Sequence, residues 1–127
     1  MLRYAYKPKT ENSVLVYGSG LRVSNKNSIE ICKAITGKSL QKGKKLLQGM
    51  LENRLSLDGK YYTNTAKEIL KLLELSEHNA EFKGLEPEKM IIHASAHKGF
   101  TYYRPRRFKM KRQQRKIANI QIVLEQR

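Results

Sequence analysis

Three groups of residues in this chain have types and spacings that could do chemistry. His93 and His97 stand four apart in an apolar stretch, and two imidazoles can hold a metal ion or act as an acid–base pair on a phosphodiester. The stretch reads as a strand, however, where positions four apart lie about 13 Å from each other, too far to share one ion or one phosphate. Gly37-Lys38-Ser39 ends like a phosphate-binding loop, but that loop needs a glycine five positions earlier, where Cys32 stands, and a strand before it. It reads instead as the end of one helix and the start of the next. The third group is Arg104 to Lys116 (RPRRFKMKRQQRK), in which 8 of 13 residues are Lys or Arg and none is acidic. Its chemistry is anion binding. No catalytic residue, metal site or cofactor is assigned.

The elements that position the basic run follow from its flanks. Met90 to Tyr103 precedes it and Ile117 to Leu124 follows it, both apolar and aromatic, so 90–124 reads as a hairpin with 104–116 at its tip. Ile92, Ala94 and Ala96 alternate with His93, Ser95 and His97, while Ile120, Ile122 and Leu124 alternate with Gln121, Val123 and Glu125, the period-two signature of strands. Fully extended, 90–103 would span about 45 Å, against a radius of gyration of about 14 Å for a compact domain of this length. The distal half cannot pack on its own core. An isolated ribbon is marginal in water, and eight cations at its tip repel one another, so the arm requires an anionic host. The competing reading of 104–116 is a disordered basic linker.

Helical signals fill the first half. Residues 1–13 read as an extended arm that orders on binding, Val14 to Tyr17 as a short strand broken by Gly18-Ser19-Gly20, and Ser24 as the N-cap of a first helix. That helix runs to about Thr36 with Ile29, Cys32 and Ile35 inward and Gly37 at its left-handed C-terminal cap. Ser39 opens a second helix with Leu40, Leu47, Met50 and Leu51 inward, weakened at Gly43 and Gly49 by about 1 kcal/mol each. Its Lys42, Lys44 and Lys45 are either a solvated face or phosphate contacts. Asn53 to Asn64 reads as a loop whose Tyr61-Tyr62 is either a half-buried anchor or a base-stacking pair. Thr65 to Glu68 fits a capping box opening a third helix, which Gly84-Leu85-Glu86-Pro87 ends. The expected fold is α+β: a small antiparallel sheet packed on three helices, with a long protruding basic hairpin, in a single domain spanning 1–127.

Composition sets the partner class. The formal net charge is +15, and 89–124 alone holds ten Lys or Arg and no Asp or Glu. Such clustering is the footprint of a polyanion binder. A membrane surface fits less well, because the run lacks the apolar helical face that interfacial binding needs. Cys32 is the single cysteine, which excludes an intrachain disulfide and a cysteine-based zinc site. No apolar run is long enough to span a bilayer, MLRYAYKPKT lacks a signal-peptide core, and a cytoplasmic setting is expected. RNA suits the tip better than duplex DNA, because Tyr102, Tyr103 and Phe108 interleave with the cations and can stack on unpaired bases.

These residues carry a family resemblance over about Val14 to Glu125. Leu21-Arg22-Val23-Ser24-Asn25-Lys26 at the first helix, Thr36-Gly37-Lys38-Ser39 at its end, Asn79-Ala80 followed by Gly84-Leu85, Arg104-Pro105-Arg106 entering the tip, and Ile120-Gln121-Ile122-Val123 leaving it stand in order. In that order the chain resembles large-subunit ribosomal protein family twenty-two in the universal naming, seventeen in eukaryotes, with a start through Leu21-Arg22 that resembles archaeal and eukaryotic members and an archaeal type expected. It departs at the tip, where Lys109-Met110-Lys111 stands for the family's Gly-Arg-Ala. The resemblance implies a structural constituent of the large subunit, with no enzymatic activity. Its implied partners are large-subunit ribosomal RNA, neighbouring ribosomal proteins and the nascent peptide, with no membrane and no homo-oligomer. The expected RNA contacts are Arg22, Lys26, Lys98, Arg104, Arg106, Arg107, Lys109, Lys111, Arg112, Arg115 and Lys116. Phe108, Lys109, Met110 and Lys111 are expected to face the exit tunnel. The alternative is a basic RNA- or DNA-binding module outside the ribosome.

Overall fold

In the computed structural model, which describes residues 3–126, three helices cover one face of a three-stranded antiparallel sheet. Strand β1 (Ser13–Leu21) leads into helices α1 (Asn25–Ile35), α2 (Leu40–Leu51) and α3 (Thr63–Phe82). A single 3-10 turn precedes β2 (Met90–Lys98), the two-residue strands β3 (Tyr102–Tyr103) and β4 (Gln114–Arg115) form a separate ribbon, and β5 (Ala118–Gln126) ends the fold. The sheet order is β1-β5-β2, so the last strand lies in the middle. The expected α+β architecture is present.

The sheet packs its small and branched residues on the helices. Val14 and Val16 of β1, Ile92 of β2, and Ile120, Ile122 and Leu124 of β5 meet Ile31, Ile35, Leu40, Leu47, Ile69 and Leu73, all buried. Each such side chain contributes roughly 1.5–3 kcal/mol when fully withdrawn from water. Close packing explains one residue that helix propensity disfavours. A Cβ on Gly43 would stand 2.5 Å from Ile92 Cδ1, so only glycine lets α2 approach β2 this closely.

Gly37-Lys38-Ser39 closes an edge of the sheet. Gly37, at φ +85°, donates its N–H to Ile92 O at 2.8 Å, and Ile92 N–H donates to Lys38 O at 3.0 Å. Ala94 N–H donates to Thr36 Oγ1, whose hydroxyl reaches Ala94 O, each at 3.2 Å. Without these partners β2 would present an open row of backbone groups.

Several local expectations differ from the structure. Strand β1 runs on through Gly18-Ser19-Gly20, accommodating the glycines as a bulge between Gly18 and Leu21. On α1, Ser28 and Ile31 turn inward with Cys32 and Ile35, leaving Ile29 half-buried at the margin. Ser24 does precede α1, but its hydroxyl makes no capping bond, and its carbonyl instead accepts from the Ser28 hydroxyl at 2.8 Å. The capping box at Thr65 does not form. Helix α3 begins two residues earlier, after Tyr62 in the left-handed region at φ +44°, which leaves Thr65 buried and Glu68 paired with Lys71 at 2.9 Å.

The largest difference concerns the N-terminal arm. Residues 3–12 lie across the sheet face opposite the helices, so Gln121, Val123 and Glu125 of β5 are buried at 5%, 1% and 4% exposure. The alternation in β5 therefore separates two covered faces. Gln121 accepts from Ala5 N–H at 2.9 Å and donates to Arg3 O at 3.0 Å. Along the arm Tyr4, Tyr6 and Pro8 are half-buried, while Arg3, Lys7 and Lys9 are exposed. An arm read as ordering only on a partner is held here by its own sheet, because buried polar residues of β5 give its backbone hydrogen-bond partners.

Candidate nucleic-acid interface

The basic run is positioned by the two strands that enter and leave it. β2 and β5 pair as far as Lys98 opposite Ala118, and pairing resumes at Tyr102 opposite Arg115. Three residues, 99–101, thus face two, 116 and 117, and the extra residue makes a bulge, which bends and twists a ribbon. Beyond it Arg104 N–H donates to Gln113 O at 2.9 Å and the Gln113 amide donates to Lys109 O at 3.1 Å. Phe108–Met110 form a 3-10 turn at the tip.

Three adjoining crevices meet at Arg115. One, of about 440 Å³, lies between the β1–α1 loop, the start of α3 and the ribbon, with Arg22, Asn64, Thr65, Arg104, Gln114, Arg115 and Lys116 on its walls. A second, of about 300 Å³, is bounded by Ser24, Asn25, Lys26, Lys98, Phe100, Arg115 and Lys116. The third, of about 530 Å³, is lined by Tyr102, Tyr103, Arg104, Pro105, Arg106, Arg112 and Arg115. Among the described residues, no Asp or Glu lines any of the three. Eight of the eleven expected RNA-contacting cations are thereby gathered around one ribbon base.

Electrostatics reinforce the cations. Helices α1 and α3 both start at these walls, and neither has an acidic residue in its first turn or a side-chain cap on its leading amides. Their N-terminal N–H groups carry partial positive charge toward whatever occupies the crevices. On the walls of the second crevice two buried polar atoms, Asn25 Oδ1 and Arg115 Nε, have no hydrogen-bond partner among the described residues. Buried polar groups are nearly always paired, so an unmet acceptor and an unmet donor here match a polar ligand. The Arg115 guanidinium also stands 5.5 Å over the Tyr102 ring.

The other three expected cations, Arg107, Lys109 and Lys111, lie at the tip, outside the three crevices. Phe108 there is 91% exposed and Met110 half-buried. Lys44 of the second helix is drawn into a 2.5 Å ion pair with Glu77, which leaves Lys42 and Lys45 exposed. Tyr62 packs against the core and Tyr61 is exposed. His93 is covered by Tyr6, whose ring stacks on it at 3.8 Å, whereas exposed His97 meets Asn119 Nδ2 at 3.3 Å. Among the described residues no cluster of His, Cys, Asp and Glu could hold a metal ion, and no helix is long and apolar enough to cross a membrane.

Sequence reasoning missed Asn25, Asn64, Thr65 and Gln114 on these walls. The signal for Asn25 was its place after Ser24 at a helix start. For Asn64 and Thr65 it was obscured by a helix boundary set two residues late, and Gln114 carried none.

Comparison with known proteins bears on what such a surface serves. Residues 16–125 match the family described as Ribosomal protein L22p/L17e. Curated relatives named "Large ribosomal subunit protein uL22" include one from Archaeoglobus fulgidus, 35% identical over 84% of this chain and 84% of its own length. Another, from Methanocaldococcus jannaschii, is 31% identical over 98% of this chain and 95% of its own. A third, from Methanococcus aeolicus, is 31% identical over 99% of both.

Proposed function

The chain belongs to the ribosomal protein L22p/L17e family, and from that premise we propose that it grips large-subunit ribosomal RNA through the Arg115 crevices and the basic ribbon. Its place is that of a structural constituent of the large ribosomal subunit, of the archaeal type, and not of an enzyme. The observation that carries the finer reading is the convergence of eight cations and two uncapped helix starts on one base without a carboxylate on its walls.

In this reading phosphates enter the crevices, where Arg22, Arg104 and Arg115 can offer paired N–H donors in a geometry that lysine cannot reproduce. Tyr102 and Tyr103, half or more exposed, offer rings to unpaired bases beside those phosphates. Arg107, Lys109 and Lys111 extend the contact to the tip, and Phe108, Lys109, Met110 and Lys111 face the nascent peptide in the exit tunnel. Neighbouring ribosomal proteins complete the setting, in the cytoplasmic ribosome.

The test is the salt dependence of binding to large-subunit RNA fragments. With eight phosphates neutralised, the slope of log affinity against log salt is roughly −6. Replacing Arg22, Arg104 and Lys116 by glutamine should flatten it by about two. A slope near zero, or one unchanged by the triple replacement, would sink the proposal.

A further inference from the structure

The sheet face that carries the N-terminal arm presents a second set of groups with nucleotide-binding chemistry, away from the crevices. Where the arm begins, Tyr17 of β1 and His97 of β2 bring their rings together with centroids 6.3 Å apart and planes 24° from parallel. Tyr4 of the arm closes on Tyr17 edge-on, 6.4 Å away at 77°. Asn119, in the central strand between them, accepts from Gly20 N–H at 2.8 Å and meets His97 Nε2 at 3.3 Å, fixing the floor beneath the rings. His97 is exposed, and Tyr4 and Tyr17 are half-buried.

The arm supplies the charge. Its half-buried Tyr4, Tyr6 and Pro8 alternate with exposed Arg3, Lys7 and Lys9, so the segment clamps to the sheet by one edge and raises a row of cations on the other. The carboxylate of this face, Glu125, is buried and accepts from Tyr6, Lys9 and Thr10 of the arm itself. Glu11 is the exposed acidic residue of the arm, and it lies at the far end of the sheet, beside Ser13. Aromatic rings at one end of a cation row are what a single strand recognises, its bases on the rings and its backbone along the charges.

We propose that this face is a second RNA contact, in which an unpaired base stacks on Tyr17 and His97 while the adjoining phosphates run along Arg3, Lys7 and Lys9. The proposal rests on RNA being the partner of the crevices, and it extends the contact to the opposite side of the sheet. An RNA strand is favoured over a protein segment because cations and rings predominate among the exposed groups of this face, where Leu15, 43% exposed, is the exposed large aliphatic side chain among the described residues of β1 and the arm.

The experiment uses the full chain and a single-stranded RNA oligonucleotide containing 2-aminopurine, whose fluorescence falls when it stacks on an aromatic ring. The expected result is quenching on binding that a Tyr17→Leu, His97→Ala variant reduces, with the part that arises at Tyr102 and Tyr103 retained. An Arg3→Gln, Lys7→Gln, Lys9→Gln variant, altered only at exposed positions, should lose about two from the salt slope. Quenching and slope both unchanged in these variants would overturn the second contact and leave the crevices standing. Failure of the unaltered chain to bind any RNA would overturn the crevice reading and this one with it. Binding of a basic-residue-dependent protein partner in place of RNA at this face would overturn the second contact alone.

Discussion

The Tyr6 hydroxyl donates a 2.6 Å hydrogen bond to Glu125 Oε2 across 119 residues of sequence, joining the arm to the last strand. The same carboxylate accepts from Lys9 N–H at 2.8 Å and Thr10 N–H at 3.2 Å, and His93 Nε2 stands 3.7 Å from it. Together with Gln121, which holds Arg3 and Ala5, this buried side chain fixes the path of the arm.

This relationship predicts acid release of the arm. The Tyr6 hydroxyl, followed by the Lys9 amide, holds the Glu125 carboxyl below its ordinary range. A carboxylate whose folded pKa is depressed stabilises the fold fully above its unfolded value of about 4.3 and loses that contribution as pH falls through the folded value. The Lys9 and Thr10 amides, which Glu125 accepts, should therefore lose protection and approach the fast exchange of an unstructured chain below about pH 4, before the core opens. Glu125→Gln should show the fast exchange at neutral pH, and equal protection in both proteins would contradict the latch.

Two glycines of α2 should respond oppositely to alanine. At Gly43 the new Cβ meets Ile92 Cδ1, itself fully buried, at 2.5 Å. Overpacking costs typically 1–3 kcal/mol, which exceeds the gain in helix propensity of about 1 kcal/mol. At Gly49 the Cβ meets Leu55, which is 46% exposed and free to swing outward. Urea titration should find Gly43→Ala less stable and Gly49→Ala unchanged or more stable, by up to about 1 kcal/mol.

Cys32 is predicted to be inert in the folded chain. Burial pushes its thiol up to about 12, and the residue is 3% exposed. A thiol reagent at pH 8 should label it only at the rate of unfolding, and rapid stoichiometric labelling of native protein would contradict the packing of α1 on β2.

Arg115 should matter more than its neighbours at the ribbon base. It lines all three crevices, and its buried Nε has no hydrogen-bond partner among the described residues. Arg115→Lys keeps the charge but removes the fork and the stacking on Tyr102, so RNA affinity should fall by about tenfold, the scale of one charge-assisted hydrogen bond. A variant as tight as the unaltered chain would show that charge alone suffices there.

The sequence made the outline legible where physics is local. Strand periodicity at 90–96 and 120–124, the glycine at φ +85° after α1, and the cation run all act within a few residues. What stayed hidden depends on distant contacts. Glu125 read only as an alternating strand position opposite the apolar face, because its partners lie at the other end of the chain. Gly43 read as a helix defect because Ile92, 49 positions away, is what forbids a side chain there. The crevice walls were half legible: cations announce themselves by type, whereas Asn64 and Gln114 gain a role only when α3 and the ribbon meet.

The most direct test of the central claim is crosslinking in intact cells with photoreactive residues placed one at a time at Arg104, Phe108 and Arg115. The nucleic acid attached at all three positions should be large-subunit ribosomal RNA, with nascent chains also captured from Phe108. Crosslinks from Arg104 and Arg115 to DNA, to unrelated RNAs or to protein only would contradict it.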